Sequence, residues 1–557
     1  MKKKIKTTLF VFIIIGVIVL NITYKNKNEV TKTKQRNQNN LAIMIKGDSG
    51  EYVSSNEIPK GNYVLNEEKT ICENGGKVVS YNNLTGQIGF SFLGSDRCSL
   101  YFDKIIDTQK PVISNLKING KTITATLTDN QSLLAYGFST SNTLEPTSWT
   151  SISGKTYNLS TTIKQDRVYY LWVKDNTGNV IISDVLDARL EGWKTILINN
   201  GNGAATVDAA KAYIEGKTTS TTPNFSTVAT TNEGMYSAPD DLGTSYYFRG
   251  AVDNNWLKYG KYTKDMYNCN NGTISATDTG NSCTKIASSG DDIYWRIIRI
   301  NGDGSIRMIY SGITPPTEST KVIKTEDTSL GNSPFNANRD KAEYVGYMYT
   351  IGEQHGTSKS SDIKTYLEDW YANYTDLNKV GTKIIDQIYC NDRTASTSES
   401  GTAGEISSWA STGTQYAYGA GLRLYGDSSK PSPSLKCTNA NDKFTTTIAK
   451  GNGKLSYSVG LITADEVNMA GADNQFNSNA SYYLYIGSDY WTGSPIAYSR
   501  KQFGGGESRE FGVYDDGRLG AYDVSNDDGS MVRGVVSLSS ESKLLGSGTY
   551  NDVYVVS

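Results

Sequence analysis

All six cysteines of the chain lie beyond residue 71, and in sequence order they form three neighbouring pairs: Cys72 with Cys98, Cys269 with Cys283, and Cys390 with Cys437. No pair has the C-x-x-C spacing of a zinc or redox site, and the chain holds a single His, so a mixed metal site lacks ligands. Pairing two by two implies an oxidising compartment. Each bridge would stabilise its own loop by about 3–4 kcal/mol. Buried free thiols are the alternative.

The N-terminus agrees with export. Lys2, Lys3, Lys4 and Lys6 precede an uncharged run from Thr7 to Tyr24. At about 1.5 Å per residue that run just crosses a hydrocarbon layer of roughly 30 Å. Asn21, Ile22 and Thr23 stand where a signal-peptidase site would need small residues, so residues 1–24 read as an uncleaved transmembrane anchor rather than a removed signal. Lys25, Lys27, Lys32, Lys34 and Arg36 nearly balance the flanking charge. It is the cysteines that place the bulk of the chain outside the cell membrane, as a single-pass protein.

Residues 25–44 are polar and basic and read as a flexible tether. Residues 45–104 form a small β module with Val78, Val79, Ile88, Phe90 and Phe92 as core, too small to hold without the Cys72–Cys98 staple. In residues 108–188, Ile123, Ala125 and Leu127 alternate with threonines, which marks a strand with one buried face. "VYYLWVKDNTGNVIISDV" adds a strand, a turn and a return strand, so this unit reads as a β-sandwich. Residues 192–557 are the largest unit. A short helix in "ATVDAAKAYIEG" opens it, and "YWRIIRINGDGSIRMIY" reads as a hairpin in which Trp295 and Ile297 alternate with Arg296 and Ile298. Ile363, Tyr366, Leu367, Trp370, Tyr374 and Leu377 repeat at helical spacing behind a Ser361 cap. A second helix, capped by Thr463, and a late hairpin turning at Asp516-Gly517 complete an α+β unit. The fold class expected is therefore mainly β and multidomain.

Two resemblances bear on these units. "YYLWVKDNTGN" resembles the bacterial immunoglobulin-like (Ig-like) domains of surface proteins, which implies a spacer or adhesive module without catalytic residues. "SYYFRGAVDNNW", "YWRIIRINGDGSIRMIY", "IYCNDR", "VGLITADEV", "YYLYIGSDYWTGSP" and "VRGVVSL" together resemble an uncharacterised multidomain surface-protein family of low-GC Gram-positive gut bacteria. The order helix, helix, W-x-x-S-P, hairpin and V-R-x-V is also similar to the C-type lectin-like fold of bacterial binding domains and formylglycine-generating enzymes. That family usually has Pro after the Arg, whereas Gly534 follows Arg533 here.

Little in the chain points to chemistry. No G-x-S-x-G elbow, Walker A loop or H-E-x-x-H is present. His355 lies in a Gly/Ser/Thr-rich loop and reads as a loop residue, not a general base. Asp240-Asp241 and Asp291-Asp292 are adjacent, and adjacent strand residues face opposite ways, so neither makes a glycosidase pair. "NGDGS" and "SNDDGS" match no EF-hand loop and read as turns. No catalytic residue, metal ligand or cofactor is expected. A net charge of −2 offers no basic field for nucleic acid.

Binding is the remaining possibility. Tyr498, Arg500, Tyr514, Arg518 and Tyr522 sit on Gly-rich backbone late in the chain, in the residue vocabulary of adaptable binding surfaces. They are the expected contacts for a glycan or protein ligand of the host or the envelope. Trp491 and Arg533 are expected to be structural. The function expected is a membrane-anchored surface adhesin or recognition protein, with an envelope spacer or an extracellular glycan-acting enzyme as rivals. "GTYNDVYVVS" carries no sorting motif, so sortase attachment is not expected. The sequence names neither the ligand nor an oligomeric state.

Overall fold

In the computed structural model, the alternating residues Ile123, Ala125 and Leu127 point into a core at 0%, 5% and 0% exposure. Their strand, Thr122–Thr128, lies between Val112–Asn119 and Thr156–Thr162. The structure describes residues 40–47, 49–91, 96–119, 121–163, 167–278, 282–427, 429–473, 476–500, 506–526 and 530–557. The expected anchor (1–24), most of the tether and Phe92 lie outside the described residues. Among those that are described, no helix is long and apolar enough to cross a membrane. The chain divides into two units, one ending at Ala188 and the other running Arg189–Ser557.

Among its described residues the first unit is all β. Facing the Thr122–Thr128 sheet is a second one, built on Leu133–Ser139 and Val168–Asp175, and both supply a common core of Leu127, Leu159, Leu133, Leu171 and Val173. The earlier module corrects two expectations. Residues 40–44 are strand, not tether: Asn40–Lys46 pairs in parallel with Arg97–Lys104. Ile43 is buried there, in the short apolar run Leu41–Ile45 that follows the Asn-rich stretch. Val79 is 64% exposed, because strand alternation turns it outward beside inward-facing Val78.

The second unit is built on an eight-stranded sheet. Asp292–Ile300 and Ile306–Tyr310 form its central hairpin, as the sequence predicts, but both faces are covered and all residues from Ile293 to Ile300 are buried. Helix Asp362–Tyr374 starts at Ser361, whose hydroxyl accepts the Lys364 N–H, and lays Trp370 against Trp295 and Tyr310. The terminal strand Tyr554–Val556 returns to pair with Trp256–Lys261, so the end of the chain closes onto the start of its own unit. A five-stranded sheet carries the late segment through Tyr490–Arg500, Gly506–Val513 and Leu519–Asp523. The opening helix spans Val207–Ser220 behind Thr206, and two further helices, Gly192–Asn199 and Gly419–Tyr425, have no counterpart in the sequence reading. Both are short segments that tertiary packing holds helical.

All three expected cysteine pairs are disulfides: Cys72–Cys98, Cys269–Cys283 and Cys390–Cys437, with no cysteine left free. The first and second join residues directly opposite on antiparallel strands. The third closes the longest of the three loops, and both of its cysteines border the cleft described next.

Candidate functional site

Two places in the second unit bring polar and aromatic side chains together: an ion-paired cleft and an aromatic row on the late hairpin. The cleft begins with a problem of like charge. Arg299 and Arg307 are cross-strand partners on the central hairpin, both nearly buried. Glu466 answers it. Helix Ala464–Ala470 opens with a capping box, in which the Thr463 hydroxyl accepts the Glu466 N–H and the Glu466 carboxylate accepts the Thr463 N–H. From that position Glu466 accepts the Arg299 Nε–H at 2.8 Å and forms an ion pair with Arg307, whose Nε lies 2.7 Å away. Burial alone would raise the Glu466 carboxyl, but Arg307 and Arg299, helped by the Thr463 N–H, outweigh it and pull its pKa down to about 2.

Further pairs extend the network. Asp240 takes Arg299 at 2.9 Å, and Asp241 takes Lys443 at 3.0 Å. Arg423 holds Asp465 through both carboxylate oxygens, at 2.9 and 3.0 Å, and Asp392 at 2.6 Å. The free volume left is about 30 Å³, room for a water or two rather than a sugar ring. Every carboxylate lining the cleft is thus tied to an arginine or lysine. What the geometry does is join the late helix to the central sheet.

The late hairpin sorts the expected ligand contacts into two groups. Tyr498 is 1% exposed, tilted against Tyr416, and donates its hydroxyl to the Asp340 carbonyl at 2.9 Å. It offers no surface to a ligand, because its strand is covered on both faces rather than one. Arg500 closes the same strand, and its side chain lies outside the described residues. Tyr514, Arg518 and Tyr522 do come together, all of them half-buried. Gly512 and Gly520 face each other across the hairpin, and each is covered by a tyrosine: a Cβ on Gly520 would meet Tyr514 at 1.8 Å, and one on Gly512 would meet Tyr522 at 2.5 Å. The rings of Tyr514 and Tyr522 meet edge-on at 4.8 Å, Tyr522 meets Trp491 at 5.8 Å, and the Arg518 guanidinium sits 5.0 Å over Tyr514. The result is an aromatic row running from the core to the surface and ending in a cation.

Trp491 anchors the inner end. It is fully buried and donates its indole N–H to the Ser333 carbonyl at 2.8 Å. Arg533 is equally interior: it caps the carbonyls of Tyr310 and Leu484 and lies over the Tyr490 ring. Gly534, which stands where the resembling family has Pro, touches Trp370, so a Cβ there would come within 2.6 Å of that ring. His355 is not a free loop residue. Its Nδ1 meets Asp442 at 2.8 Å, and the buried Asp442 carboxylate also takes the Arg393 backbone N–H and guanidinium. Glu510 on the hairpin is fully buried with neither oxygen partnered.

Sequence reasoning missed Glu466, Arg299, Arg307, Arg423, Asp392 and Asp465 as one group. Only the T-x-x-E capping spacing at Thr463–Glu466 was a usable sign. Compared with protein-family models, with curated proteins and with solved structures, the chain matches none.

Proposed function

We propose that this chain is an exported surface protein that recognises a glycan or protein ligand without transforming it, held to the membrane by its N-terminal apolar segment. The observation that carries this reading is the Trp491–Tyr522–Tyr514–Arg518 row: rigid aromatic area, fixed from the core outward and half-open at the surface, with a guanidinium at its rim. The three disulfides support display in an oxidising compartment.

Finer fold assignments belong to the same reading. We take residues 108–188 as an Ig-like sandwich. In support, its seven main strands divide into a sheet ordered fifth–second–first and another ordered fourth–third–sixth–seventh, the E-B-A and C′-C-F-G arrangement of such domains. We take residues 192–557 as C-type lectin-like, supported by the return of the terminal strand beside Trp256–Lys261. The spacer reading is favoured by one observation, the burial of Tyr498.

Glycan and host-protein arrays probed with the full chain in detergent, alongside Tyr514→Ala and Tyr522→Ala variants, separate the two. Recognition predicts a hit that either variant weakens at least tenfold while the fold stays intact. A hit indifferent to both tyrosines, or no hit from folded protein, overturns the assignment of the row.

A further inference from the structure

Asp107, Asp129 and Asp175 meet at one end of the sandwich although they come from three separate stretches. Asp107 lies in the connection ahead of strand Val112–Asn119, Asp129 directly follows strand Thr122–Thr128, and Asp175 ends strand Val168–Asp175. One carboxylate oxygen of each lies within 4.8 Å of the other two. Among the described residues, no lysine or arginine pairs with any of them.

Their hydrogen bonds come from neutral donors and leave a remainder. Asp175 Oδ1 accepts the Thr177 and Asn179 N–H groups and the Thr177 hydroxyl, and Oδ2 accepts the Asn179 side-chain amide. Asp129 Oδ1 accepts the Gln131 N–H, and Asp107 Oδ1 accepts the Gln109 N–H and the Asn130 amide. Oδ2 of Asp129 and Oδ2 of Asp107 are buried with no partner. Asp129 is 8% exposed as a residue, so its unpartnered oxygen is turned inward. Oδ1 of Asn176, next to Asp175, is also buried without a partner.

A buried carboxylate oxygen with no donor, beside two further carboxylates, suffers both desolvation and like-charge repulsion. A divalent cation relieves both. Calcium takes six to eight oxygens at 2.3–2.6 Å, so two ligands of one ion are never more than about 5 Å apart. The three aspartates fit inside that limit. Asn179 already secures the incoming chain, donating its amide to the carbonyls of Asp107 and Gln109.

We propose that Asp107, Asp129 and Asp175 form a calcium site at the end of the 108–188 sandwich, with waters completing the shell. The ion clamps the connection that carries Asp107 onto the strand ends that carry Asp129 and Asp175. It draws on none of the Asp-Gly turns that the sequence singles out.

The test uses the full chain in detergent, stripped with chelator, and the Asp129→Asn variant, with Asp107→Asn as a second variant outside the strands. Equilibrium dialysis against calcium up to about 10 mM, the range of extracellular modules and above, is expected to show each variant binding one ion fewer than wild type. Calorimetry is expected to show calcium raising the Tm of the first unit in wild type but not in the variants. In chelator, Asp129→Asn should be as stable as wild type or more so, since it removes an uncompensated charge. Equal calcium binding by wild type and variants overturns the site. A Tm rise that survives in both variants, or Asp129→Asn destabilised in chelator, does so too. Magnesium competing on equal terms overturns the assignment to calcium.

Discussion

Glu466→Gln tests whether the cleft is an electrostatic joint. The carboxyl is fully buried, and folding brings its pKa from an ordinary 4.5 to about 2, a change that contributes about 3 kcal/mol to stability at neutral pH. The neutral amide keeps the size of the side chain but leaves Arg307 facing only neutral oxygens, the carbonyls of Ile388 and Leu461 among them. The sign follows from the direction of the shift. Because the folded value is the lower one, the stabilisation is complete above the unfolded pKa near 4.5 and is lost as pH falls from about 5 towards 2. Urea unfolding followed by Trp fluorescence is the assay, since Trp256, Trp295, Trp370 and Trp491 are all fully buried in the second unit. The variant should unfold about 3 kcal/mol more easily at pH 7, and the gap should narrow steadily towards pH 3. A gap under about 1 kcal/mol at pH 7 would refute the charge argument. A full gap that ignores pH would refute it as well, by assigning the loss to packing.

Two other substitutions have opposite expected signs. Glu510 is a fully buried carboxyl that desolvation pushes well above its usual value, with Arg393 opposing only in part, so the protein should lose stability as pH rises above about 4.5. Glu510→Met should raise stability at pH 7 by about 1–3 kcal/mol and flatten that pH dependence in chemical denaturation, and a less stable variant at pH 7 counts against it. Gly534→Ala drives a methyl into Trp370 and should cost about 1–3 kcal/mol, read by the same unfolding curves. A neutral outcome there would mean that Trp370 moves aside freely.

What was legible in the sequence is what is local. The Ser361 and Thr463 caps, the Asp516-Gly517 turn and the Ile123–Leu127 alternation each depend on a few consecutive residues, and each stands in the structure as the pattern implies. The three disulfides follow sequence order for the same reason, since each bridge closes a loop shorter than its own unit. Tyr498 fails because exposure is set by a second layer, here Tyr416 and the Asp340 segment, that its own strand does not encode.

The polar clusters show the limit more sharply. Arg299 and Arg307 stand as charged residues in an otherwise apolar hairpin, and nothing in their own strands names a partner for them. They are interior because Glu466 arrives from well over a hundred residues downstream to neutralise both. Asp107, Asp129 and Asp175 are likewise separated by whole strands, so no spacing motif could join them. The difference between the two clusters is what stands opposite the carboxylates. In the cleft each acid meets a cation built into the chain, and the volume closes. At the end of the sandwich no such cation is present among the described residues, and buried oxygens remain without donors. The first arrangement is complete as protein, whereas the second is complete only with something bound.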